Sequence, residues 1–241
     1  MGTLKTNTIE PATGSTLTLG ASGDTITVSS DSIKVNTYKD AGGNTLFTSD
    51  GAGTLSSVNS AFVGTGPVLI STSTASGVSS VVISSGITST YDEYMFVLTN
   101  VNLSVNSEDL NLNFSLTGSF SSLNMTTTMV IQRHDEDGSD GQWGYQTNAD
   151  QANGTSQKFA DSSQLSNAAD ANFGSILHLF SPSSTTFAKH FYLRTIAKSK
   201  VPGVSAAMVS GYINNTGAVT QVSFAPSSGT FDGVIQMYGI K

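Results

Sequence analysis

The chain has no cysteine, which excludes a disulfide framework, thiolate metal ligation and thiol nucleophiles together. Charge is scarce as well: Asp, Glu, Lys and Arg make up 11% of the 241 residues. Ten basic side chains face seventeen acidic ones, for a net charge of −7. A nucleic-acid groove needs a basic stripe to neutralise phosphates, and an anionic bilayer attracts Lys and Arg, so neither partner is expected. No apolar run approaches the eighteen or so residues of a spanning helix. Met1-Gly2-Thr3-Leu4-Lys5 runs straight into polar residues, so neither membrane insertion nor a secretory leader is expected. Catalytic signatures are missing too: there is no GxSxG elbow, no Walker loop, no HExxH, and no GxGxxG ahead of a helix.

Ser, Thr, Asn and Gly fill the space that charge leaves, the balance of a β-rich extracellular or virion protein. From Leu17 to Ser57 short apolar pairs stand in a polar background: Leu17/Leu19, Ile26/Val28, Ile33/Val35, Leu46/Phe47, Leu55/Val58. Turn residues such as Asp40-Ala41-Gly42-Gly43-Asn44 separate them, the period-two pattern of half-buried strands. Each strand offers one or two large side chains. At about 25 cal/mol per Å2 of buried apolar surface, these do not offset roughly 1.5 kcal/mol of lost freedom per ordered residue. The segment is therefore expected to fold only when copies from several chains pool their stripes. Residues 1–60 are read as an attachment segment and intertwined shaft, and 61–241 as a separate head. Leu55, Val58 and Phe62 stand three and four apart, which allows a helical turn or a short coiled coil at the neck.

From Val68 onward longer strand signals take over. Val68-Leu69-Ile70 and Val81-Val82-Ile83 flank a Ser/Thr-rich connection, and Tyr91 to Val101 is the densest apolar run, expected as a central strand. In Leu110-Asn111-Leu112-Asn113-Phe114-Ser115-Leu116 all four apolar residues share one face. Further strands are expected over Met129–Gln132, Ser175–Phe180, His190–Ile196, Ala206–Ile213, Val219–Phe224 and Val234–Ile240. Eight to ten strands without a long helix predict an all-β fold: a β-sandwich head, jelly-roll-like, behind a β shaft.

Candidate chemistry is sparse. Asp135-Glu136-Asp137-Gly138-Ser139-Asp140 is the one acidic cluster, but a calcium loop wants Gly sixth and Glu twelfth, whereas here Gly is fourth and Gln146 twelfth. A solvated turn is expected, with no metal and no cofactor. His134, His178 and His190 are the only histidines, and the last two lie inside apolar strands, where a satisfied strand residue is the default. His178 is kept in view because a threefold axis would gather one copy from each chain. Asp92, Glu93, Glu108 and Asp109 are the carboxylates that sugar cleavage would use, yet no catalytic residue is assigned and no enzyme is expected. The polar excursion 133–158 holds Arg133, His134, Trp143 and Tyr145. Long loops on a rigid β scaffold often carry binding, and these rings could stack on sugar faces. The alternative is an ordered loop packed on its own sandwich or on the next subunit. Leu4, Ile9 and Pro11 are candidate anchors to a larger particle, or simply a frayed terminus.

Two stretches carry a resemblance. Asn7-Thr8-Ile9-Glu10-Pro11-Ala12-Thr13-Gly14-Ser15-Thr16-Leu17-Thr18-Leu19-Gly20, with Asp24-Thr25-Ile26-Thr27-Val28, resembles the N-terminal segment of tail-fibre-like virion proteins of marine, cyanophage-type tailed bacteriophages. Tyr91-Asp92-Glu93-Tyr94 and the terminal Gly233-Val234-Ile235-Gln236-Met237-Tyr238-Gly239-Ile240-Lys241 resemble the head of the same proteins. The resemblance covers both ends and one internal strand. It implies a homotrimeric appendage on the exterior of a tail or capsid, assembled in the host cytoplasm and joined to other virion proteins through its N-terminus. The expected role is adhesion to a host-surface glycan or protein through the head. A capsid decoration or head fibre with a purely structural role is the alternative, and a polysaccharide-active enzyme a third.

Overall fold

A computed structural model of the chain describes residues 35–53, 55–56, 58–59 and 66–241, together with the single positions 11, 13 and 25. It divides into two compact units, 1–63 and 64–241. In the first, β1 (Thr37–Lys39), β2 (Thr45–Ser49) and β3 (Leu55–Ser56) form one antiparallel sheet. Asp40 closes the β1–β2 turn by accepting the Asn44 side-chain amide at 3.0 Å and the Asn44 backbone N–H at 2.8 Å, and these bonds hold its carboxyl below the usual range. The rings of Tyr38 and Phe47 lie 4.7 Å apart, yet none of residues 35–53, 55, 58 and 59 is buried. Leu46 and Phe47 fall in a strand as expected. β1 is an addition, because Tyr38 alone gave no alternation to read. The helical neck is corrected where it is described: Leu55 pairs with Ser49 as a strand. Leu4, Ile9, Leu17, Leu19, Ile26, Val28, Ile33 and Phe62 lie outside the described residues, and Pro11 is half-buried.

The second unit contains β4 (Val68–Val78), β5 (Val81–Ile83), β6 (Glu93–Leu103), β7 (Leu110–Ser115) and β8 (Met125–Asp135). Then come β9 (Gly141–Tyr145), β10 (Ala152–Gly154), β11 (Gln157–Lys158) and β12 (Phe173–Phe180). β13 (Lys189–Lys198), β14 (Gly203–Ile213), β15 (Gln221–Pro226) and β16 (Phe231–Ile240) complete it. Every pairing is antiparallel, and no α-helix occurs among the described residues; Ser162–Gln164 is a single 3-10 turn. The ten expected strands are all present. The three extra ones, β9 to β11, lie in the excursion read as a loop, where Gly, Asn and Gln mask the alternation. The Ser/Thr-rich connection after Ile70 is also strand: β4 continues to Val78 along the edge beside β16. An edge strand tolerates hydroxyl side chains because one side of it stays in water.

The wide sheet has the order β10-β8-β14-β13-β12-β6-β16-β4, with β9 on β8, and the narrow one β11-β7-β15-β5. Their inner faces meet in one core. Phe96 of β6 and Phe224 of β15 have centroids 5.9 Å apart, and Phe114 of β7 stands 5.2 Å from Phe191 of β13. This is sandwich-like packing, driven by the alternation seen in the sequence: Leu110, Leu112 and Phe114 are fully buried while Asn111 and Asn113 point away. Beyond the narrow sheet the buried residues Phe159, Ala160 and Leu165 continue the same core. Gly211 lets β8 lie close to β14, since a Cβ there would sit 2.6 Å from the Thr126 carbonyl oxygen.

One buried polar group works against this core. Lys189 is fully enclosed, with Nζ donating to the Asn215 carbonyl at 3.2 Å, and burial lowers its pKa from the ordinary 10.5. Between the lowered folded value and 10.5 the unfolded chain holds a proton that the folded chain has shed, so stability rises with pH in that window. Lys189→Met is expected to remove this alkaline gain and to raise the unfolding midpoint at pH 7. Urea titrations of both proteins from pH 7 to 10.5 check it.

Candidate binding face

The outer face of the wide sheet is where the strand register gathers the candidate residues. Across the strands one row reads Tyr145, Val130, Met208, Arg194, Ile176, Val97. The neighbouring row reads Trp143, Gln132, Ala206, Ile196 and Gly174, and the row on the other side Thr128, Ser210, Tyr192, His178 and Met95. Strand alternation sends the chain neighbours of these residues inward, so the face carries Met, Ile, Val and aromatics where a solvated sheet would carry charge. Met208 is 54% exposed and Ile176 42%.

The excursion residues divide. Gly141, Trp143 and Tyr145 alternate with Gln142 and Gly144, and their register on His134, Gln132 and Val130 puts His134, Trp143 and Tyr145 on this face. Trp143 is 73% exposed at the β9 edge, and Tyr145 52%. The Tyr145 hydroxyl donates to the Asp150 carboxylate, and that bond raises its pKa above 10.0. Arg133, one residue out of phase, leaves the group: its guanidinium pairs with Asp140, and Nε lies 3.9 Å from the Asp135 carboxylate. The period of two decides this, and reading the segment as a loop concealed it.

Arg194 is the cation that takes its place, and the sequence reading missed it. It pairs in register with Met208 and Ile176, has no carboxylate partner among the described residues, and lines a groove of about 370 Å3 with Trp143, Gln132, Met208 and Ser210. The signal was present in His190-Phe191-Tyr192-Leu193-Arg194-Thr195-Ile196, where Phe191, Leu193 and Thr195 point in, so Tyr192, Arg194 and Ile196 point out. A second hollow of about 470 Å3 lies between Phe180, His190, Tyr192 and Tyr212.

His178 stands on the same face, its ring stacked on Tyr192 at 4.5 Å and 15°, with Nδ1 held by the Glu93 carboxylate. The acidic cluster is the β8–β9 turn: Gly138 adopts φ 74, the Asp137 carboxylate accepts the Ser139 N–H at 2.9 Å, and the Ser139 hydroxyl, then this N–H, lower its pKa. Among the described residues no group of three or more His, Cys, Asp or Glu could hold a metal ion. Three of the four carboxylates considered for sugar cleavage have side-chain partners of their own. Glu93 serves His178, Glu108 accepts from the Ser228 hydroxyl at 2.7 Å and is held below its usual range by it, and Asp109 pairs with Lys158 at 3.1 Å. No helix among the described residues is long and apolar enough to cross a membrane. Comparison with protein-family models, curated proteins and solved structures finds no match for the chain.

Proposed function

We propose that this chain is a non-enzymatic, adhesive subunit of a phage particle, a tail-fibre-like or spike-like appendage. In this reading residues 1–60 attach and intertwine as a homotrimer, and 61–241 form a jelly-roll head that meets the host surface. The strand orders β4-β16-β6-β12 and β5-β15-β7-β11 support the jelly roll, being two facing four-stranded layers whose chain order alternates between them. β13, β14, β8, β9 and β10 extend one layer sideways and carry the exposed face. The exposure or half-exposure of every one of residues 35–53, 55, 58 and 59 supports a leading segment that draws its core from other copies.

The observation that carries the adhesive role is the Trp143 edge: an indole 73% exposed on a paired strand, beside amide and hydroxyl donors of Gln132, Thr128 and Ser210 and the Arg194 guanidinium. A ring of this kind offers an apolar plane to a sugar while its neighbours bond the hydroxyls. Several identical heads on one particle convert modest single-site affinity into avidity. The test is binding of labelled full-length protein to marine cyanobacterial cells and to their purified envelope polysaccharide. Trp143→Ala is expected to weaken single-site binding by about 2 kcal/mol, roughly thirty-fold, as at other exposed aromatic hot spots. Its unfolding midpoint should stay unchanged, since so little of the ring is buried. Equal binding by variant and wild type refutes the site, and loss of polysaccharide viscosity on incubation refutes the non-enzymatic role.

A further inference from the structure

The middle of the wide sheet, away from the Trp143 edge, presents a problem that glycan contact does not solve. Across β14, β13, β12, β6 and β16 the outward positions include Met208, Ile196, Ile176, Tyr192, Tyr212 and Val97. Five of these six are more than a third exposed: Met208, Ile196, Ile176, Tyr192 and Tyr212. Large apolar side chains exposed side by side on neighbouring strands mark an interaction surface on a soluble protein.

We infer that this face is an interface between head units of separate copies of the chain. Size is the first argument. Five strands at about 4.8 Å spacing and about ten residues at 3.3 Å rise cover roughly 24 by 33 Å, close to 800 Å2. A stable protein contact needs about 800 Å2 from each partner, so the face matches one subunit's share, and a monosaccharide or short glycan would cover only a fraction.

Charge is the second argument. The chain carries −7, so two copies repel over most of their surface. On this area the acids sit at the margins and are engaged: Glu93 with His178, and Asp232 accepting the Gly77 N–H at 2.8 Å. Lys198, at the end of β13, pairs with Asp170. Arg194 is the one charged side chain in the middle without a carboxylate among the described residues, and arginine is the cation that interfaces favour because its guanidinium lies flat on aromatic rings. Identical chains thus meet through the part of their surface that repels least. The contact covers Arg194 and Met208, which line the groove beside Trp143, and leaves the Trp143 ring itself, two strands away at the rim, exposed. This inference concerns the head alone and stands or falls independently of any host receptor.

The experiment combines mass and oxidative footprinting on the full chain at tens of micromolar. Light scattering of the wild type is expected to give a multiple of 24.9 kDa. Met208 is expected to be oxidised by peroxide several-fold more slowly than in the Ile176→Glu/Ile196→Glu double variant. Both substituted positions are exposed in the single chain, so the variant should keep its far-UV spectrum and unfolding midpoint. Ile176→Thr/Ile196→Thr, which keeps β-branching, gives the same reading if the glutamates prevent folding. A variant that remains oligomeric through its leading segment while Met208 becomes reactive supports the inference. A monomeric wild type overturns it, with protected Met208 in that monomer pointing to coverage by the chain's own N-terminal segment. Equal Met208 reactivity in wild type and variants also overturns it. Failure to bind cells bears on the adhesive role and leaves this outcome untouched.

Discussion

Truncating Phe224 to alanine is expected to cost about 3–5 kcal/mol, the range for removing a buried aromatic ring. Phe224 is fully buried on β15. Its centroid is 5.9 Å from Phe96 on β6 and 5.9 Å from Phe159, which follows β11. The three rings come from the narrow sheet, the wide sheet and the segment that extends the narrow one. The lost ring therefore leaves a cavity that no single element can close by shifting, and partial collapse is what sets the lower end of the range. Domain stabilities run to about 5–15 kcal/mol, so the substitution should consume a large share of the total. For a unit of this size each kcal/mol moves the midpoint by about 2–4 °C, so a fall of roughly 10 °C is expected in a thermal melt. Val82→Ala on β5 is the control: Val82 lies in the same sheet but faces outward, and its truncation should stay within about 0.5 kcal/mol.

The same contrast between inward and outward positions explains what the sequence disclosed. Leu110 to Leu116 and Tyr91 to Val101 state their strand and its buried face outright, because one side of each is apolar and the other polar or mixed. The all-β class follows from such runs. β9 to β11 did not announce themselves. Gly141-Gln142-Trp143-Gly144-Tyr145 keeps its period of two, but a glycine fills an outward place and a glycine and a glutamine the inward ones, so no hydrophobic stripe marks it. That omission carried over to the site. With 133–158 taken as a loop, Arg133 looked equivalent to Trp143; once β8 and β9 pair, the two sit on opposite faces. Arg194 was hidden for the reverse reason. Its strand was legible, but attention to which residues point inward leaves the outward row unread, and only the lateral order of strands shows that this row lies beside Trp143. Strand order depends on long-range pairing, such as β8 with β14, about eighty residues apart, and a local pattern does not encode it.

Gln157→Ala should be nearly as damaging as the loss of Phe224, by a polar route. Gln157 is fully buried on β11. Its amide N–H2 donates to the Ala149 carbonyl at 2.9 Å and the Lys158 carbonyl at 2.8 Å. Its oxygen accepts the Thr127 hydroxyl at 2.5 Å, and Thr127 in turn accepts the Gln151 N–H at 2.8 Å. One side chain thus ties the narrow sheet to β8 of the wide one and fixes the turn that follows Tyr145. Alanine leaves two carbonyls and a hydroxyl without their buried partner, each costing on the order of 1 kcal/mol or more, so a total near 3 kcal/mol is expected in urea denaturation. Gln157→Glu separates hydrogen bonding from shape. Ionised, it would turn a buried carboxylate toward two carbonyl oxygens, which raises the folded pKa above the unfolded value near 4.3. Above that unfolded value the folded state then holds the extra proton, so stability falls as pH rises toward the folded pKa. The glutamate variant should therefore lie closest to wild type near pH 4 and furthest from it at pH 7, whereas the alanine variant should show about the same deficit at both. Equal deficits for the two variants across that range would mean that water reaches the Gln157 site and that the network does not tie the sheets.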